Sequence, residues 1–157
     1  MNELVFISNS LEETISFGKK MGKALKAGDV IALSGELGSG KTWFTKGIAL
    51  GMGIPAEAVT SPSFTLVNEY DGRLFKLFHI DAYRLRDKTD FLSAGLDEYF
   101  YRDGIAVMEW ADRWPEILPD NTIAIRISIM DENRRKITIS GQHKRAKEII
   151  GHLSGLL

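Results

Sequence analysis

SGELGSGKTW, residues 34–43, decides the fold. Gly35, Gly40, Lys41 and Thr42 match the spacing G-x-x-x-x-G-K-[ST] without a gap. An apolar run, VIAL (30–33), precedes the stretch, and FTKGIALGMG (44–53) follows with a helical pattern. Strand, glycine loop and helix in that order hold phosphate. Glycines let backbone N–H groups turn inward, and the new helix points its positive end at the same place. Lys41 can reach the β- and γ-phosphates, and Thr42 can offer its hydroxyl to Mg²⁺. Glu36, Leu37, Gly38 and Ser39 complete the loop.

Working outward, the pattern is α/β, with a mostly parallel central sheet, antiparallel hairpin additions and flanking helices. LVFI (4–7) opens as a strand. Ser10 and Glu13 form a capping box, and Leu11, Ile15, Met21 and Leu25 trace a helical stripe up to Gly28, a C-terminal stop. VIALS (30–34) is continuous enough for a strand buried on both faces. A helix is expected over 41–52. FTLVNEY (64–70) and RLFKLFHI (73–80) flank Asp71-Gly72, a hairpin signal. Residues 91–100 suggest a helix broken near Gly95. GIAVMEW (104–110) is a second buried strand. TIAIRISI (122–129) and RKITIS (135–140) alternate around Asp131–Arg134, and a closing helix follows His143.

The chain has 157 residues, enough for one domain spanning 1–157. It contains no cysteine, which removes disulfide frameworks, thiolate zinc sites and cysteine nucleophiles. No apolar run approaches a membrane span, so a soluble cytoplasmic protein is expected. The net charge of −1 gives no global drive towards nucleic acid. Arg134, Arg135, Lys136, Lys144, Arg145 and Lys147 make the C-terminal region locally basic, but no aromatics interleave with them. That region reads as a solvated face.

A P-loop needs a carboxylate at a neighbouring strand end to organise magnesium and water. Glu109 closes IAVM with the Walker-B shape, and Asp81 closes LFHID. Both qualify, because clefts in open α/β sheets lie at such ends. His79 sits on the same strand face as Asp81. Trp110 either flanks the nucleotide or packs in the core, and packing is expected. The base-reading N-K-x-D of GTPases is missing, which favours ATP. No arginine is obviously placed as a finger; Arg84 is a candidate, and a partner supplying the missing group is the alternative.

Together ELGSGKT (36–42), SPSFTLVNEY (61–70), FHIDAYRL (78–85), GLDEYF (95–100) and VMEW (107–110) resemble the TsaE family, also called YjeE, over roughly residues 10–115. The resemblance implies a small P-loop ATPase. It would work with TsaB and TsaD to form N6-threonylcarbamoyladenosine at position 37 of ANN-decoding tRNAs, meeting tRNA through that complex. It further implies that Gly35 through Thr42 bind the phosphates of ATP, with Thr42 also on Mg²⁺. Glu109 would stand in the Mg²⁺ shell, Asp81 would be needed for hydrolysis, and Thr14 would help enclose the nucleotide. SPSFT (61–65), with the hydroxyls of Ser61, Ser63 and Thr65, resembles a first switch, and HIDAYR (79–84) a second. The chain departs from the family pattern at Trp43, Ser63 and Glu36. A small-molecule kinase and a non-catalytic ATP-dependent module share the P-loop and are the alternatives. Phosphate release, acceptor phosphorylation or binding without turnover tells the three apart.

Overall fold

The computed structural model describes residues 2–157. One seven-stranded sheet runs through it in the order β1-β7-β6-β2-β5-β4-β3. In chain order the strands are β1 (Glu3–Ser8), β2 (Val30–Ser34), β3 (Val67–Asp71), β4 (Lys76–Asp81), β5 (Ile105–Glu109), β6 (Thr122–Ile129) and β7 (Arg135–Ser140). The helices are α1 (Leu11–Ala24), α2 (Lys41–Gly51), α3 (Lys88–Ser93) and α4 (Lys144–Gly155). The four central strands, β6, β2, β5 and β4, are mutually parallel, and β7, β1 and β3 join antiparallel at the margins.

The apolar patterns follow from which faces are covered. On β2 and β5, Ile31, Leu33, Ile105 and Val107 pack under α1, α2 and α4. Val30, Ala32, Ala106 and Met108 face the opposite cluster with Phe91, Leu96 and Phe100. Both faces are dry, so the sequence is continuously apolar. On β6 only Ile123, Ile125 and Ile127 are buried, and the strand alternates because one face is left uncovered.

Helices α1 and α2 cross at backbone contact. A Cβ on Gly22 would stand 2.1 Å from the Ile48 carbonyl oxygen, and one on Gly47 2.3 Å from that of Ile15. Gly18 and Gly51 are equally tight, so four glycines set this crossing. It presses the phosphate-loop helix onto the sheet and fixes where its N-terminus points.

Several local expectations are corrected. Helix α1 ends at Ala24, because Leu25 turns extended and buries itself; Gly28 lies in the following turn at φ 94°. On that helix Leu11 is exposed, and Phe17 takes the core position. Ser10 caps α1 as expected, its hydroxyl accepting from the Glu13 N–H at 3.1 Å, but the Glu13 carboxylate accepts from the Asn9 N–H at 2.7 Å, one residue before the cap. Strand β3 begins at Val67, since Pro62 to Leu66 closes a turn with Leu66 at φ 70°. The hairpin expected around Asp71-Gly72 forms between β3 and β4, but its loop is longer than two residues: Gly72 N–H bonds Phe75 O at 3.0 Å, and Arg73 N–H bonds Met52 O at 2.8 Å, which ties the tip to the end of α2. The break expected near Gly95 is present, at φ 73°; only the form of the second piece differs, since α3 is followed by a 3-10 turn at Leu96–Tyr101. In the basic C-terminal region Arg145 is not solvated, because it forks onto buried Asp29 at 2.9 and 3.0 Å.

Candidate functional site

Parallel strands end on the same side, so β2, β4 and β5 deliver Ser34, Asp81 and Glu109 to one edge. Asp81 and Glu109 are register partners on adjacent strands. The glycine loop leaves β2 there. Gly38 and Gly40 adopt φ of 82° and 106°, the left-handed region where a side chain would be strained. Nothing lies within 4 Å of the place a Cβ would occupy on either glycine, so the loop is open on that side. Gly35 is tight instead, with Ile127 O at 2.5 Å from such a Cβ.

A cleft of 410 Å³ opens over this edge. Leu37, Gly38, Gly40, Lys41, Thr42, Ser61, Ser63, Asp81 and Glu109 line it, all singled out from sequence. A wider groove of 520 Å³ lies at the far end of α2, between Lys19, Lys23 and Arg73. It contains no carboxylate and no residue of the glycine loop, so size does not choose the site.

Lys41 is 5% exposed. Its ammonium donates to Gly35 O at 2.6 Å and Glu36 O at 3.0 Å, folded back on its own loop. It stands 3.9 Å from the centroid of the Trp110 ring. Burial pushes its pKa down, opposed by the negative charges of Glu109, Asp81, Asp112 and Glu36. Burial pushes the Asp81 carboxyl above the usual carboxylate range; the Tyr83 N–H on its Oδ1 at 2.8 Å opposes this, and the neighbouring Glu109 charge adds to it. Glu109 bonds the ring of His79, which is fully buried behind it. Two carboxylates converge at this edge, with Lys41 and Arg84 as the cations of the cleft. The arrangement fits a divalent cation such as Mg²⁺, which Asp81 or Glu109 would hold with the Thr42 hydroxyl. The open glycine loop fits phosphate oxygens, whereas Ser39, fully buried, does not line the cleft.

Other expected residues fall outside the cleft. Thr14 is buried and shares a smaller cavity of 200 Å³ with Ser10, Gly38, Ser39, Trp43 and Arg135, on the other side of the loop. Its hydroxyl lies 2.7 Å from that of Ser8. Glu36 is exposed on the loop's outer side. Thr65 is exposed and donates to Asn68 Oδ1 at 2.8 Å, so it is not brought to the cleft with Ser61 and Ser63. His79 supports Glu109 from behind and does not line the cleft.

Tyr83 and Arg113 escaped the reading of the sequence, and Trp110 and Arg135 take roles it did not give them. Tyr83 stacks on Trp110 at 5.0 Å between ring centroids and lines the cleft. Its place inside HIDAYR was the available signal. Trp110 does more than pack: it sits at φ 63°, touches the second core with one side and covers Lys41 with the other. Arg113 donates to Ala82 O at 2.7 Å and Leu85 O at 2.6 Å, and reaches Arg86 O at 3.2 Å, clasping the loop after Asp81. Arg135 donates to Ser39 O at 3.1 Å and ties the β6–β7 turn to the glycine loop. No sequence pattern announces either arginine, because both bind backbone carbonyls across the fold.

With this geometry in place, comparison with known proteins gives a consistent answer. Residues 8–137 match the family model described as "Threonylcarbamoyl adenosine biosynthesis protein TsaE". The chain is 42% identical over 134 residues to the tRNA threonylcarbamoyladenosine biosynthesis protein TsaE of Treponema pallidum (strain Nichols), covering 85% of this chain and 98% of that protein. It is 39% identical over 154 residues to the protein of the same name from Bacillus subtilis (strain 168), covering 98% and 96%. The crystal structure of Bacillus subtilis YdiB superposes with a TM-score of 0.82 at 36% identity, covering 98% of this chain and 95% of that one. Among the described residues no helix is long and apolar enough to cross a membrane.

Proposed function

The chain belongs to the TsaE family of threonylcarbamoyl adenosine biosynthesis, and from that premise we propose that it is a Mg²⁺-dependent ATPase serving tRNA modification as a nucleotide-driven switch. It would act with TsaB and TsaD in forming N6-threonylcarbamoyladenosine at position 37 of ANN-decoding tRNAs, and would meet tRNA through that complex. The observation that carries the reading is the convergence of Lys41, Thr42, Asp81 and Glu109 on one cleft that also takes in Ser61 and Ser63.

The residues divide the work by position. The glycine loop offers inward N–H groups and the N-terminus of α2 to a phosphate chain. Lys41 leaves Gly35 O and Glu36 O to meet the outer phosphates. Thr42 and Glu109 would hold the metal, Asp81 would orient water, and His79 keeps Glu109 in place. A bound Mg²⁺ would supply charge neutralisation for the phosphates. Ser61 and Ser63, paired through their hydroxyls at 2.8 Å on an exposed loop, are free to reorder around a terminal phosphate.

Such a site works by positioning and charge stabilisation. Phosphate release is measured with purified chain, with and without TsaB and TsaD. Slow turnover alone, faster turnover with the partners, and loss in K41A are expected. Losing one preorganised donor costs about 3 kcal/mol, on the order of a hundredfold in rate. Equal rates in K41A and the parent sink the assignment. Glu109→Ala should impair magnesium-dependent turnover more than nucleotide binding; an unchanged magnesium titration would hand the metal to Asp81.

A further inference from the structure

Arg84 lies three residues beyond Asp81, in the loop clasped by Arg113. It lines the cleft with Lys41, Ser61 and Asp81. Its guanidinium carbon stands 4.2 Å from the centroid of the Phe64 ring. Phe64 is 83% exposed, an unusual place for a phenylalanine. The ring therefore serves something other than the core: it carries a cation across the cleft mouth, between the Ser61–Thr65 loop and the Asp81–Arg86 loop.

Neighbouring arginines are occupied. Arg86 pairs with Asp90 at 3.0 Å, and Arg113 and Arg135 are spent on carbonyls. Among the described residues Arg84 has no hydrogen-bond or ion-pair partner. A guanidinium stacked by its face keeps the N–H donors along its edge free, in a fork that matches phosphate oxygens.

We propose that Arg84 is a catalytic residue of this site, supplied in cis to the terminal phosphate of a bound nucleoside triphosphate, with Phe64 as the perch from which it is presented. The inference rests on the nucleotide reading above. In hydrolysis a water oxygen bonds the γ-phosphorus as the bond to the β–γ bridging oxygen breaks. The electron pair leaves with the diphosphate, and the water's protons pass to phosphate and solvent. Arg84 neither gives nor takes a proton. Its fork answers the charge spread over the equatorial oxygens, which the single ammonium of Lys41 meets at one point only.

The test compares binding of ADP with binding of ADP–aluminium tetrafluoride, a planar mimic of the transferring phosphoryl group. Calorimetry with Mg²⁺ is run on the parent chain, R84A, R84K and K41A, with TsaB and TsaD present. The parent should prefer the mimic by about tenfold or more. R84A should lose that preference while its ADP affinity moves less than about threefold, and R84K should not restore it. Guanidinium ion at non-denaturing concentration should rescue R84A and leave K41A unrescued. F64L, which keeps apolar bulk without the ring, should show a partial loss. R84Q replaces R84A if the alanine variant melts early. A preference retained in R84A, full restoration by R84K, or equal loss of ADP and mimic affinity overturns the proposal. So does a parent chain that binds ADP with no preference for the mimic. A parent chain that binds no ADP overturns the nucleotide reading itself, a separate failure.

Discussion

The ring Nε2 of His79 donates to the carboxylate of Glu109, and the two side chains are sealed together between β4 and β5 at 0% and 3% exposure. The other ring nitrogen, Nδ1, is buried with no partner among the described residues. The bond holds one oxygen of Glu109 and leaves the other for the cleft. His79→Leu should therefore weaken magnesium affinity by about 10–100-fold with little change in metal-free nucleotide binding. His79→Gln reaches as far with an N–H and should restore most of it. A magnesium titration of both variants decides; equal affinity in His79→Leu and the parent removes the positioning role.

Burial holds the Asp81 carboxyl above the ordinary aspartate value of 3.8. Its folded form thus holds a proton more tightly than its unfolded form. The associated stability is present below 3.8 and is lost as pH rises through the folded value. At neutral pH the metal-free protein therefore bears an unfavourable buried charge. Asp81→Asn, which still accepts from the Tyr83 N–H, should raise the melting temperature at pH 7 and abolish turnover. The stabilisation should shrink as pH falls through the carboxylate range. Magnesium should stabilise the parent more than the variant. A lower melting temperature for Asp81→Asn at pH 7 contradicts this account.

The sheet's parallel centre and the carboxylates of the site were legible because local chemistry and position agree there. Gly35 to Thr42 carry their own turn geometry, and Asp81 and Glu109 end runs whose two faces are both buried. The hairpin tip at Asp71-Gly72 was misread because Arg73 finds a partner in Met52 O, a contact no local pattern encodes. The exit of α1 was misread for a similar reason: Leu25 is drawn out of the helix by the core, well before Gly28. Thr65 was grouped with Ser61 and Ser63 by sequence proximity, yet the turn ending at Leu66 directs it to Asn68. The role of Arg113 stayed hidden, and Arg135 was read as part of a solvated face, because a guanidinium that grips carbonyls can come from almost anywhere in the chain.

The α1–α2 crossing allows a paired test. At Gly22 a Cβ would meet the Ile48 carbonyl oxygen at 2.1 Å, and the obstacle is backbone. Gly22→Ala should destabilise by about 1–3 kcal/mol, or more if the helices separate. At Gly151, inside α4 and exposed, nothing lies within 4 Å of such a Cβ. Gly151→Ala should stabilise by about 1 kcal/mol through helix propensity alone. Urea denaturation of both variants checks the contrast. Because the crossing seats α2, Gly22→Ala should also weaken nucleotide binding, and Gly151→Ala should leave it unchanged.

Arg145 fastens the closing helix to the strand that feeds the glycine loop. Its Nη2 donates to Asp29 Oδ2 at 2.9 Å and to Ala24 O at 2.7 Å, and its Nε to Asp29 Oδ1 at 3.0 Å. The side chains are 22% and 6% exposed, so this pair is shielded where surface pairs are not. Removing one partner leaves the other charge stranded. Arg145→Ala should cost about 3 kcal/mol, the lower end for a broken buried pair, because Asp29 keeps the Lys26 N–H at 2.8 Å. Asp29→Asn keeps that local bond and removes the charge, so the double variant should be more stable than the sum of the single losses predicts. Chemical denaturation of the four chains measures the coupling directly. Additive losses would mean that Arg145 stabilises by packing its stem and through the Ala24 carbonyl, and that the charge of Asp29 plays no part in holding α4.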